Sequence, residues 1–150
     1  MNAPIEFRVN QATRRELAEH LRACDADFVP PLSGRVDMEE YSGRIATCAI
    51  RFEAWSGGQL VGLVAAYCND PAGIAAYVTS VSVLRNFTGH GIGAQLLKRC
   101  VAHARLQKMR KIGLEVFRGN TVAIRLYEKC GFEFARAESS SLTMVLRLNP

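Results

Sequence analysis

Three glycines alternate with other residues where a strand-like run gives way to a long helical one, and no other stretch constrains the fold so tightly. It reads Val81-Ser82-Val83-Leu84-Arg85-Asn86-Phe87-Thr88-Gly89-His90-Gly91-Ile92-Gly93-Ala94. Ahead of it, Ala75–Leu84 is rich in Val, Thr and Tyr, and Val81-Ser82-Val83 alternates as a strand does. Beyond it, Ile92, Leu96, Leu97, Cys100, Val101 and Ala104 recur at spacings of one, three and four, which predicts an amphipathic helix to about Lys108. The first amides of such a helix lack internal partners, and its dipole favours negative charge there. Glycine lets the main chain approach a ligand closely and adopt positive φ. Together these predict a cradle for a pyrophosphate.

Two common nucleotide loops fit poorly. A Walker loop needs Lys-Ser/Thr after its last glycine, and Ala94-Gln95 stands there. The dinucleotide fingerprint fails from Gly91, where Leu96 takes the third glycine position, but fits its looser form from Gly89, with Ala94 third. Its context is missing: the preceding runs read as antiparallel strands.

The remaining elements fall into place around this turn. Glu6–Asn10 reads as a first strand. Thr13 can cap a helix over residues 14–23, with Leu17, Leu21 and Cys24 on one face. Prolines 30 and 31 predict an extended Phe28–Leu32. Asp37, with Glu40 three residues on, opens a second helix to about Cys48. Ala49–Trp55 and Leu60–Asn69 flank Ser56-Gly57-Gly58-Gln59 as a hairpin. After the turn and long helix come a strand at Ile112–Phe117, a helix capped by Asn120 and stopped by Gly131, and two strands, Phe132–Ala137 and Leu142–Leu148. The order β-α-α-β-β-β-α-β-α-β-β predicts an α+β fold with a mixed, mostly antiparallel sheet and one parallel, right-handed step from Val78 to Phe117. With no repeat, linker or low-complexity block, residues 1–150 are expected to form a single domain.

Composition narrows the function classes. At 150 residues, with 49% apolar and 22% charged residues, the chain can bury a core unaided. No apolar run approaches the ~20 residues of a membrane span, and the charged N-terminal stretch lacks a signal-peptide core, so the cytoplasm is the expected compartment and no membrane partner is expected. The net charge of +5 comes without aromatic interleaving or a zinc pattern. It suits an anionic small ligand, and no nucleic-acid partner is expected. The five cysteines have no metal-ligand spacing and apolar neighbours, so they are expected to be buried and reduced, and no metal is expected.

The glycine turn and a second block, Asn120-Thr121-Val122-Ala123-Ile124-Arg125-Leu126-Tyr127-Glu128-Lys129-Cys130-Gly131-Phe132, resemble the GCN5-related N-acetyltransferase (GNAT) superfamily over about residues 45–135. That family's loop reads Arg/Gln-x-x-Gly-x-Gly/Ala, matched by Thr88-Gly89-His90-Gly91-Ile92-Gly93 except that Thr88 replaces Arg or Gln. The second block matches Asn-x-x-Ala-x-x-Leu-Tyr-Glu-Lys-x-Gly-Phe. The resemblance implies a three-layer α/β/α fold, acetyl-CoA as co-substrate and direct transfer of its acetyl group to an amine, with no covalent enzyme intermediate. The first 40 residues match less, and there such enzymes build acceptor specificity. A small-molecule amine, an amino sugar and a peptide N-terminus all remain open as acceptor, and a homodimer through the last strands is compatible with such folds.

The resemblance also implies roles. The main chain of Val81 and Val83 pairs with the pantetheine arm, and the Val83 amide polarises the thioester carbonyl. The backbone from Thr88 through Gly89, His90, Gly91, Ile92 and Gly93 to Ala94 holds the diphosphate, and Asn120 bonds the arm while capping its helix. Tyr127 protonates the departing thiolate. Many relatives place a Glu base on the strand before the glycine turn, but Tyr77, Thr79 and Ser80 stand there. Glu115 is one candidate, from a Leu-Glu-Val to Tyr spacing found in relatives that acetylate protein N-termini; a solvated strand-face role is the other reading. Water relayed by Ser80 or Ser82 is the fallback, and His90 lies away from the expected chemistry. A non-catalytic acyl-CoA sensor or interaction module is the alternative, favoured by Thr88 and the absent upstream Glu.

Overall fold

A computed structural model describes residues 3–148. One seven-stranded sheet runs through it, with β1 (Glu6–Val9), β2 (Ile50–Ser56), β3 (Gln59–Tyr67), β4 (Ala75–Val83), β5 (Lys111–Phe117), β6 (Glu133–Ala137) and β7 (Ser141–Arg147) in the order β1-β2-β3-β4-β5-β7-β6. Every neighbouring pair is antiparallel except β4–β5, the parallel step expected from the intervening helix. Helices α1 (Arg14–Cys24) and α2 (Met38–Cys48) cover one face. Helix α3 (Ile92–Leu106) covers the other, where α4 (Thr121–Lys129) also contributes. The expected α+β, three-layer architecture is present.

Alternation along the strands builds two cores. Leu63 and Ala65 point toward Leu17, Leu21, Tyr41 and Ile45, while Val64 and Ala66 belong with Ile92, Leu96, Leu97 and Cys100. Capping fixes the helix starts. Thr13 accepts the Glu16 N–H while the Glu16 side chain accepts the Thr13 N–H, and Asp37 accepts from Glu40 N. The chain between β1 and α1 is held by a buried carboxylate: Glu53 accepts from the amides of Gln11 and Ala12 and from Trp55 Nε1, with Arg51 beside it.

Some boundaries differ from expectation. The long helix stops at Leu106 rather than Lys108: Lys108 turns left-handed (φ 60°), and Met109 folds back to bond Ala104 O and bury itself. The prolines do not hold Leu32 extended, because the steric rule acts on the residue before proline. Leu32 follows Pro31 and opens a short 3₁₀ turn, Leu32–Gly34. Of the cysteines, all free thiols, only Cys24 and Cys100 are fully buried; Cys48 ends α2 and is exposed.

Candidate functional site

Strands β4 and β5 stay paired only from Ala75↔Lys111 to Val78↔Leu114. There a bulge in the β3–β4 register makes Thr79 an extra residue, and β4 leaves β5 while β5 continues beside β7 to Phe117. The Tyr41 hydroxyl donates to Thr79 O at 2.7 Å, securing the departure point. Beyond it the β5-facing edge of β4 is open. Leu84 N–H donates to Val61 O of β3, so by two-residue alternation the amides of Ser80 and Ser82 also face β3. The amides and carbonyls of Val81 and Val83 therefore face the gap.

The glycine turn borders this gap. Gly89 and Gly91 have φ of 81° and 75°, and a Cβ on either would meet no heavy atom within 4 Å. Gly91 is the N-cap of α3 and supplies no side-chain cap. The first helical bond is Gln95 N–H to Gly91 O, so the amides of Ile92, Gly93 and Ala94 have no partner within the helix. The Ile92 side chain is core instead, pressed against Gly62 of β3. Thr88 Oγ1 donates back to Arg85 O at 2.8 Å, and the exposed His90 Nδ1 lies 3.3 Å from Phe87 O.

A cavity of about 300 Å³ opens between the diverging strands. Its wall includes Thr79–Val83 of β4, Thr88 and Gly93 of the turn, Glu115–Phe117 of β5, and Asn120, Leu126 and Tyr127 of the α4 region. Among the expected donor-binding residues, Val81, Val83, Thr88, Gly93 and Asn120 thus share one wall; Gly89, His90, Gly91, Ile92 and Ala94 lie in the adjoining turn and helix start. Tyr127 is nearly buried in the last turn of α4, fixed by Phe132 N–H donating to its carbonyl at 2.9 Å and by ring contact with Phe132. Burial, with the neighbouring Cys130 thiol, pushes its phenol up to about 12, so it carries its proton at any ordinary pH. Asn120 Oδ1 accepts the Ala123 N–H, and among the described residues its NH₂ donates to no protein group.

A second cavity, of about 330 Å³, shares Phe28, Arg35, Thr79, Glu115, Val116 and Phe117 with the first. It lies toward the segment between α1 and α2, lined also by Tyr41 and Tyr77. Glu115 is exposed and borders both cavities; its charge, after burial, helps raise the Tyr77 phenol pKa. Ser80 and Ser82 also border the first cavity, and the buried Ser80 Oγ has no hydrogen-bond partner among the described residues. Sequence reasoning missed His20, whose Nε2 lies 2.9 Å from Ser82 Oγ. Its helical spacing from Leu17 and Cys24 was the available sign of burial, but a partner 62 residues away leaves no local trace. Arg35 and Phe28 were missed as well, because they lie in the irregular segment between α1 and α2. Among the described residues, no group of three or more His, Cys, Asp or Glu side chains could hold a metal ion, and no helix is long and apolar enough to cross a membrane.

Comparison with known proteins accords with this geometry. A family model described as the acetyltransferase (GNAT) family matches residues 14–132. A probable spermine N(1)-acetyltransferase of Bacillus subtilis subsp. natto is 33% identical over 79 residues, 52% of each chain. A mycothiol acetyltransferase of Corynebacterium glutamicum is 34% identical over 83 residues, 55% of this chain and 28% of that one. The match thus spans about half, or less, of these curated relatives. Among solved structures, the PaiA N-acetyltransferase of Thermoplasma acidophilum, in complex with coenzyme A, superposes with a TM-score of 0.74 at 16% identity over 96% of this chain and 99% of that one. An N-acetyltransferase of Staphylococcus aureus Mu50 reaches 0.75 at 17% identity over 98% and 100%.

Proposed function

Because the chain belongs to the acetyltransferase (GNAT) family, we propose that it acts as one unit in the cytoplasm to move the acetyl group of acetyl-CoA onto a primary amine. The observation that carries this reading is the open edge of β4 beside the unpartnered amides that begin α3. Val81 and Val83 offer their main-chain groups to the pantetheine arm as an added strand, and the Val83 amide donates to the thioester oxygen as charge develops on it. The amides of Ile92, Gly93 and Ala94, reached over side-chain-free Gly89 and Gly91, hold the diphosphate. Asn120 donates its NH₂ to the arm.

Tyr127 supplies the proton to the departing thiolate. A phenol held up to about 12 keeps that proton for transfer across the working range. Glu115, at the junction of the two cavities, takes the proton that an ammonium acceptor must lose before it attacks. The acceptor enters through the second cavity. Spermine is the first amine to try, given the relatives, followed by an amino sugar and a peptide with a free N-terminus. A non-catalytic acyl-CoA-binding module is the second reading, favoured by Thr88, which turns its hydroxyl back onto Arg85 and gives the phosphates no cation.

The test mixes protein, acetyl-CoA and this panel and follows free CoA thiol. Turnover with at least one amine is expected, and Tyr127→Phe should lower kcat by roughly 10²–10⁴ while acetyl-CoA affinity holds. Tight acetyl-CoA binding without turnover on any amine would establish the module instead. Equal activity in the Phe variant would remove Tyr127 from the reaction.

A further inference from the structure

The hydrogen bonds around His20 fix the polarity of Ser82. The imidazole is 3% exposed on the inner side of α1, with Nδ1 3.1 Å from Leu60 O and Nε2 2.9 Å from Ser82 Oγ. A backbone carbonyl can only accept, so Nδ1 carries the ring proton and Nε2 of the neutral ring presents a lone pair. Ser82 must then give its single O–H to Nε2. Burial, opposed by the Leu60 carbonyl, holds the imidazole down at about 4, so the ring is neutral at ordinary pH and the polarity does not reverse. Cys24 Sγ lies farther off, at 3.7 Å from the same nitrogen, and burial keeps its thiol protonated and uncharged, pushed up to about 11.

Ser82 also borders the first cavity, between the two residues whose main chain faces the gap. Toward that cavity its oxygen has only acceptor capacity left. A hydroxyl so committed cannot donate to a thioester carbonyl, but it can accept from the N–H of a nucleophile. Its side chain lies on the α1–α2 side of the sheet, the side of the second cavity. We propose that Ser82 is an acceptor-only anchor for the N–H of the attacking amine, and that His20 is the positioning residue that holds it in that state. This rests on the acetyltransferase reading above and adds a substrate contact that Tyr127 and Glu115 do not provide.

The test compares wild type, Ser82→Ala, Ser82→Thr and His20→Phe, using whichever panel amine the wild type turns over fastest, with acetyl-CoA binding measured by calorimetry. Ser82→Ala should lower kcat/KM for the amine about tenfold, with acetyl-CoA affinity kept within about twofold, and Ser82→Thr should restore most of the loss. His20→Phe should reproduce the amine-specific loss. Since that variant changes a buried side chain, long-range proton–nitrogen NMR of the wild type reads the same point directly: Nδ1 protonated and Nε2 bare. An active enzyme in which Ser82→Ala leaves the amine kcat/KM within about twofold, or weakens acetyl-CoA binding as much as amine use, overturns the inference alone. So does a His20 protonated at Nε2. A wild type that binds acetyl-CoA but turns over no amine refutes the acetyltransferase reading and this inference together.

Discussion

Gly62 is where the sheet sets the position of the glycine turn, and Gly62→Ala should show it. A Cβ there would lie 2.8 Å from Ile92 Cγ2, 3.2 Å from Leu96 Cδ1 and 3.3 Å from Ala54 Cβ. Ordinary carbon contacts need about 3.5–4.0 Å, so the start of α3 must give way by roughly 1 Å. Ala54 belongs to the neighbouring strand and Leu96 is fully buried, so the strain falls on Ile92, the first helical residue. Overpacking of this kind costs about 1–3 kcal/mol. In a chain of this size that is a fall in Tm of roughly 3–10 °C. Displacing the amides beside Ile92 should also cost about one charge-assisted hydrogen bond, near 1.5 kcal/mol or a tenfold weaker Kd for acetyl-CoA. Thermal melts and calorimetry measure both. Gly113→Ala is the control, because its Cβ would meet nothing within 4 Å and should change stability by no more than about 1 kcal/mol. An unchanged Tm in Gly62→Ala would refute the packing argument. A lower Tm with unchanged affinity would show that the start of α3 does not hold the donor.

Gly91→Val should weaken acetyl-CoA binding at least tenfold by calorimetry, because the new side chain enters the open space of the turn and its φ of 75° is strained for any residue with a Cβ. Glu53→Gln should destabilise the fold by about 3 kcal/mol in denaturant melts, since it weakens the acceptor of two buried N–H groups and a half-buried one and removes the negative charge beside Arg51. His20 should impose an acid limb on stability. Its folded pKa lies below the ordinary value of 6.5, so its contribution is present above that pH and is lost as pH falls toward about 4, by up to about 3 kcal/mol. Denaturant melts between pH 7 and 4 should show this slope reduced in His20→Phe.

The elements and their order were legible because period and punctuation agree at each: Thr13, Asp37 and Asn120 cap where they should, and Gly131 stops α4 with φ of 98°. The strand opening was not legible from local pattern. It depends on a bulge at Thr79 and on β5 continuing beside β7, relations between segments far apart in the chain. The glycine turn and Tyr127 announced themselves by motif. Ser82 could be suspected only as a hydroxyl near the turn; its 2.9 Å contact with His20 of the first helix is a long-range relation that no local pattern shows. The α1–α2 segment resisted for another reason: two prolines and a 3₁₀ turn shape Phe28 to Arg35, so neither helical nor strand periodicity marks which of its side chains face inward.

Among the described residues, four cross-strand pairs at one end, with the Arg110 and Lys111 amides donating to Ile74 O beside them, make up the backbone stitching between the first four strands and the last three. Past Val78 and Leu114 the sheet behaves as two plates joined along a short seam, with no rungs between them among the described residues. A molecule seated there works as a keystone as well as a reactant, so amide exchange at Val81 and Val83 should slow sharply when it is present. The seam is then the place where the protein yields first when empty and gains most when filled.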